Sequence, residues 1–224
     1  MDNIQIRTVC QDELDQVELF INNYFVNHEP IMSSLQLCQD GYRMPYFDRW
    51  MRVRMEHPRG ITLLAEDTST GQHMGALVGF IYQRGEELEN PDVDPSHRSD
   101  RCPEKFKIVL DFLDFVENKG LEKAGLLGEP RVECIFLSCR PDHRIPGLGT
   151  ALLQKMHEIG RATGVEHQVV LTTSAYSARI CKKLGYTEDL NLPFSDYKLN
   201  NEIVFKTNSP HTHCRFWSRH EPQR

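Results

Sequence analysis

Apolar and polar positions alternate over Ile4 to Thr8, as in a short edge strand. From Asp12 the period lengthens to that of a helix, with Leu14, Val17, Ile21, Tyr24 and Phe25 on one stripe. That helix is expected to stop near Glu29, because the residue before Pro30 is pushed out of helical backbone space. A second, less regular helical zone covers Ser33 to Met55. Ile61–Glu66 and His73–Gln83 then read as strands joined by a turn over Asp67 to Gly71, a hairpin.

Gly85 to Asp100 follows as an acidic loop, with six carboxylates against one arginine. Long structureless segments inside a compact domain are commonly lids or binding loops. Pro103 to Asn118 reads as a helix with Phe106, Val109, Leu110, Leu113 and Val116 inward. Val132–Cys139 is apolar on both faces except at Glu133 and Ser138, which predicts a central strand covered on both sides. Helical spacing returns at Leu148, Leu152, Met156 and Ile159 and ends at Gly164. Gln168–Thr172 is a further buried strand. A short helix opens at Ser174 or Ser177 and closes at Gly185 after Lys182 and Lys183. Glu202–Lys206 is expected to be the last strand, with 207–224 a polar tail. This order predicts one α/β domain over residues 1–224, built on a single mixed sheet.

Composition narrows the function classes. With 39% hydrophobic and 26% charged residues the chain is globular rather than disordered. Its 26 basic against 32 acidic side chains leave a net charge of −6, a poor match to a phosphate backbone, so no nucleic acid partner is expected. No run approaches the ~20 apolar residues of a membrane span, and the first residues lack the basic and apolar regions of a signal peptide. Seven cysteines without C-x-x-C spacing read as reduced thiols of a cytoplasmic protein, not as a disulfide framework or zinc ribbon. His211-x-His213-Cys214 lacks a second ligand pair, so no metal is expected. Nothing predicts an oligomer.

The chemistry concentrates between the central strand and the helix after it, in Cys139-Arg-Pro-Asp-His-Arg-Ile-Pro-Gly-Leu-Gly-Thr150. Gly147 and Gly149 sit where the loop becomes a helix, a turn that aims free N–H groups at one point. The helix dipole adds partial positive charge and Arg144 a full one, which together make a pyrophosphate cradle. No Lys-Ser/Thr follows the glycines, which excludes a nucleoside-triphosphate loop. Nor does a dinucleotide fingerprint follow an N-terminal strand.

Arg144-x-x-Gly147-x-Gly149, after a strand and opening a helix, resembles the acetyl-coenzyme A signature of the GNAT acetyltransferase superfamily. Tyr176 to Tyr186, Phe194 to Lys198, Glu202 to Lys206, and Phe25-Val-Asn-His-Glu29-Pro30 resemble the insect arylalkylamine N-acetyltransferases, in family order from about residue 4 to 211. The resemblance implies a mostly antiparallel central sheet flanked by helices, and acetyl-coenzyme A as co-substrate. It implies coenzyme contacts from Arg144, Gly147, Leu148, Gly149, Thr150 and Lys183, and from the backbone of Leu137, Ser138 and Cys139. Glu29 would be general base, taking a proton from an ammonium so that the free amine attacks the thioester. Pro146 departs from the usual loop and donates no N–H. Cys181 occupies the place of a tyrosine common in the superfamily, which leaves Ser177 or Tyr176 to protonate the departing thiolate. No acetyl-enzyme is implied, so Cys139 and Cys181 are bystanders.

Tyr24, Phe25 and Met32 flank Glu29 and, with Thr173, are candidates to wall the slot of the amine, although such residues equally fill a core. The acceptor implied is a small arylalkylamine such as dopamine, tyramine, tryptamine or serotonin. A polyamine, agmatine or another aliphatic amine suits the acidic balance as an alternative. A silent acyl-coenzyme A binding module is the reading from another class.

Overall fold

A computed structural model describes residues 3–37, 44–86 and 103–221. Most of the acidic segment 85–100, together with Cys38 and Cys102, lies outside the described residues.

The expected strands and helices assemble into three layers. β1 (Ile4–Thr8), β2 (Gly60–Asp67), β3 (Gln72–Tyr82), β4 (Arg131–Cys139), β5 (His167–Thr172), β6 (Thr187–Pro193) and one further strand form a seven-stranded sheet. α1 (Leu14–Ile21), α2 (Pro30–Ser34), α3 (Pro45–Glu56) and α4 (Glu104–Ala124) cover one face. α5 (Leu148–Ala162) and α6 (Ala175–Lys183) cover the other. β4 is buried on both faces, as its nearly continuous apolar run requires. Every pairing is antiparallel except β4 with β5. This single-domain α/β architecture with a mostly antiparallel sheet matches the predicted fold class.

Two expectations change. Residues 198–206 do not supply the last strand of the main sheet: Lys198–Leu199 (β7) and Glu202–Ile203 (β8) form a separate two-stranded hairpin turned by Asn200 and Asn201. The polar tail expected over 207–224 instead contains β9 (His213–His220), inserted between β5 and β6. Its Cys214, Phe216 and Trp217 are at most 5% exposed. Burying a side chain such as Phe216 stabilises by about 1.5–3 kcal/mol. The polar groups of the strand find partners across the sheet: Arg215 pairs with Glu188, and the Trp217 indole donates to the Thr172 hydroxyl at 2.9 Å. Gly120 on α4 makes room, since a Cβ there would lie 2.1 Å from the Phe216 ring.

The early helix also ends before Glu29, but in two steps. α1 gives way to a π-helical turn over Asn22–Val26, and the chain restarts as α2 with Glu29 as N-cap and Pro30 in the first turn, where its missing N–H costs nothing.

One irregularity shapes the centre of the sheet. The β3–β4 register shifts between Val78 and Gly79, so that Ile135 is skipped between Cys134 and Phe136. At that bulge β4 parts from β5, whose pairing with it covers only Val132–Cys134. From 135 to 139 the β5-facing edge of β4 has no strand partner among the described residues.

Candidate active site

A wedge therefore opens between the last residues of β4 and the end of β5. At its β4 side, Ile135, Leu137 and Cys139 are half-buried while Phe136 and Ser138 are buried. The N-terminus of α5 packs against that edge. A Cβ on Gly149 would stand 3.8 Å from the Cys139 Sγ and Leu137 Cδ2 and 2.9 Å from the Ile180 Cδ1 on α6.

Gly147 is the N-cap of α5 and adopts φ +85°, a left-handed conformation that glycine reaches without the Cβ penalty. The space around its α-carbon is open. The Leu148 N–H donates to Ile145 and that of Ala151 to Gly147, whereas those of Gly149 and Thr150 meet no backbone acceptor among the described residues. These two donors, the dipole of a 15-residue helix and the exposed Arg144 make an anion cradle that fits a pyrophosphate.

Glu29 arrives from the opposite wall. It is 6% exposed, its Oε2 accepts from the Met32 N–H at 2.6 Å, and its Oε1 is buried without a hydrogen-bond partner. Burial raises its pKa above the usual carboxylate range, partly opposed by the Thr173 hydroxyl and by the N–H groups of Met32 and Ile31. The influence of Thr173 places the carboxylate at the end of β5. Cys214 at the start of β9 also feels it: burial first, then the charge of Glu29, pushes that thiol well above its ordinary range.

A profile of the acetyltransferase (GNAT) family matches residues 31–186, well over half of the chain. The chain belongs to the GNAT acetyltransferase family. It is an acetyl-coenzyme A-dependent acyltransferase. Solved structures share its fold. Arylalkylamine N-acetyltransferase 2 from Aedes aegypti aligns with a TM-score of 0.82 at 21% identity, over 97% of this chain and 99% of that one. A mosquito arylalkylamine N-acetyltransferase like 5b gives 0.79 at 21%, over 97% and 100%. The Drosophila melanogaster polyamine N-acetyltransferase gives 0.77 at 20%, again over 97% and 100%.

The acetyltransferase brings most of the residues singled out in its sequence to this wedge. Tyr176, half-exposed at the start of α6, has the Arg144 guanidinium 5.9 Å from its ring centre and that of Arg179 at 5.7 Å. The Ser177 hydroxyl donates to the Ser174 carbonyl at 2.9 Å. Phe25 packs edge-on against Phe136 with centroids 5.1 Å apart, and Met32 is buried among core residues. Tyr24 lies 4.8 Å from the Phe20 ring and 5.4 Å from the Arg140 guanidinium, so it touches the loop that carries the cradle. Lys183 stands apart: it is exposed in the last turn of α6, about 12 Å along the helix from Ala175.

One residue of the wedge, His211, figures in the sequence only as a candidate metal ligand and otherwise as part of the polar tail. His211 accepts the Ala175 N–H on its Nδ1 at 3.2 Å and meets the Tyr176 ring edge-on at 5.1 Å. That bond puts the proton of the neutral ring on Nε2, and burial keeps the imidazole below its ordinary range. The alternation of His213 to Phe216 was the available signal for a strand that brings it there.

Proposed function

We propose that this acetyltransferase moves the acetyl group of acetyl-coenzyme A to the primary amine of a small arylalkylamine. Attack is direct, in a ternary complex, with Glu29 as general base. The observation that carries this reading is the state of Glu29, a buried carboxylate with one oxygen held by the helix it caps and the other unpartnered.

An alkylamine arrives largely as ammonium, since such groups have pKa values near about 10. Glu29 takes one proton, directly or through water, and the amine nitrogen attacks the thioester carbonyl. The C–N bond forms, the C–S bond breaks, and the coenzyme leaves as a thiolate. Ser177 or Tyr176 returns a proton to sulfur and regains one from the second N–H proton that the acylated nitrogen loses; the Ser177 hydroxyl, which donates to the Ser174 carbonyl, turns from it to do so. Arg144 with Gly147, Leu148, Gly149 and Thr150 holds the pyrophosphate, while Lys183 reaches a phosphate only if the coenzyme extends along α6. The edge of Leu137, Ser138 and Cys139 pairs with the pantetheine arm and supplies an N–H to the carbonyl oxygen. Tyr24, Phe25, Met32 and Thr173 bound the slot of the amine. Free thiols at Cys10, Cys134, Cys139, Cys181 and Cys214 suit a cytoplasmic setting. No described helix is long and apolar enough to cross a membrane.

A second reading keeps the chemistry and changes the acceptor to agmatine or a polyamine. It is favoured by the likeness to the Drosophila polyamine N-acetyltransferase, an enzyme that forms N-acetylagmatine. Thiol release from acetyl-coenzyme A in the presence of dopamine, tryptamine, histamine, agmatine or spermidine separates the two. Turnover of the aromatic amines supports the first reading; turnover of agmatine or spermidine alone replaces it with the second.

A further inference from the structure

The end of β5 remote from the acetyl-transfer wedge carries a pair of histidines. His167 and His220 are register partners on antiparallel β5 and β9. One step beyond them the Glu221 N–H donates to the Glu166 carbonyl at 3.0 Å. Hydrogen-bonded and non-hydrogen-bonded pairs alternate along such a ladder, so His167 and His220 form the second kind, whose side chains stand closest. Their ring centroids are 4.8 Å apart and their planes inclined by 34°.

That spacing has a chemical meaning. An ion bonded about 2.1 Å from one nitrogen of each ring lies about 3.2 Å from each centroid. Ligand angles from about 90° to 109° then set the centroids roughly 4.5–5.2 Å apart. The observed pair falls within this window. The Glu166 Oε2 lies 4.0 Å from the His220 Nε2. His220 is half-exposed, which gives an ion access.

Another cluster is less suited. Cys10, Asp12 and Glu13 form the only group among the described residues that gathers three donor atoms within 4.8 Å. Both Glu13 oxygens, however, are held by the Arg7 guanidinium. At the histidine pair the protein supplies two nitrogens, and water completes the shell.

We propose that His167 and His220 form a two-histidine chelate for a divalent late-transition ion such as Zn²⁺, a clasp across β5 and β9. The site lies about 17 Å along β5 from Thr172, outside the wedge, and is not asked to supply chemistry there. Its effect is to pin β9, the strand whose other end leads to Cys214 and His211.

Calorimetric titration of the full, metal-stripped chain with Zn²⁺ near neutral pH tests this, with Mg²⁺ as the hard-ion comparison. The expected result is Zn²⁺ binding that weakens by about tenfold or more in His167→Asn and in His220→Asn, with no comparable Mg²⁺ binding. In the wild-type chain the imidazole NMR signals of His167 and His220 should shift together on Zn²⁺ addition, a readout that survives if a variant fails to fold. Absence of Zn²⁺ binding overturns the proposal. So does an affinity unchanged in both variants, or a shift confined to other histidines such as His211 and His213.

Discussion

The Glu29 carboxylate and the Met32 N–H are joined by a 2.6 Å hydrogen bond across the first turn of α2. The cap occupies Oε2 and leaves Oε1 unpartnered in a buried site. Glutamine retains an amide oxygen for the cap and removes the proposed base. Glu29→Gln is therefore expected to lower kcat by about 10²–10⁴-fold, with the KM for acetyl-coenzyme A unchanged. Activity should recover partly at high pH, where free amine is abundant. Glu29→Ala should in addition lose the cap, about 1 kcal/mol of stability. An unaltered pH–rate profile in the glutamine variant would remove Glu29 from the mechanism.

The same carboxylate predicts how stability depends on pH. Burial raises the folded-state pKa of Glu29 above its ordinary 4.5. Folding thus favours the protonated form, and this contribution is fully present below the unfolded pKa and is lost as pH rises through the folded one. Glutamine does not ionise. The Tm of Glu29→Gln minus that of the wild type should therefore grow more positive from acidic toward mildly alkaline pH. Scanning calorimetry across that range checks the sign, and a difference independent of pH would contradict the raised pKa.

Coenzyme binding should respond to the cradle rather than to the base. Arg144→Ala removes the full charge beside the α5 N-terminus, a loss of about 1.5–3 kcal/mol for a hydrogen bond to a charged group. Acetyl-coenzyme A affinity is expected to fall by about tenfold or more, with kcat little changed. Gly147→Ala forces a Cβ into φ +85°, at about 1–2 kcal/mol, and should weaken coenzyme binding in the same way. Equilibrium titration with acetyl-coenzyme A separates affinity from turnover. A fall in kcat at unchanged affinity would argue that the turn does not hold phosphate.

Thiol chemistry should be dispensable. Burial pushes Cys139 up to about 11 and Cys181 up to about 12, and the Cys214 thiol is raised by burial and by the charge of Glu29. All three remain protonated near neutral pH and are poor nucleophiles. Double-reciprocal plots should intersect, as a ternary complex requires, and Cys139→Ala should keep most of its turnover. Parallel lines would instead indicate an acetylated enzyme.

The parts of this molecule that could be read in advance are those whose determinants lie close together in the chain. Arg144, Gly147 and Gly149 fall within one loop, and the β2–β3 hairpin closes over a short turn. The end of the first helix was legible because Pro30 disfavours helical backbone at Glu29, whereas the role given to Glu29 came from the resemblance of the Glu29-Pro30 motif. His211 was not, because it acts on the Ala175 N–H from 36 residues away. β9 was hidden for the same reason. Its polar residues look like tail until Glu188 on β6 and Thr172 on β5 are placed beside Arg215 and Trp217.

Because β9 fills the gap between β5 and β6, residues 213–220 are structural, and the contact of Gly120 with Phe216 reports on it. A Cβ at position 120 would lie 2.1 Å from the Phe216 ring, so either α4 lifts or β9 shifts. Gly120→Ala is expected to destabilise by about 1–3 kcal/mol despite the higher helix propensity of alanine, because overpacking outweighs it. Pairing the change with Phe216→Leu, which vacates part of that volume, should recover some of the loss. Denaturant unfolding of the two single variants and the double measures the coupling directly. If Gly120→Ala were neutral or stabilising, β9 would not be packed beneath α4 in solution.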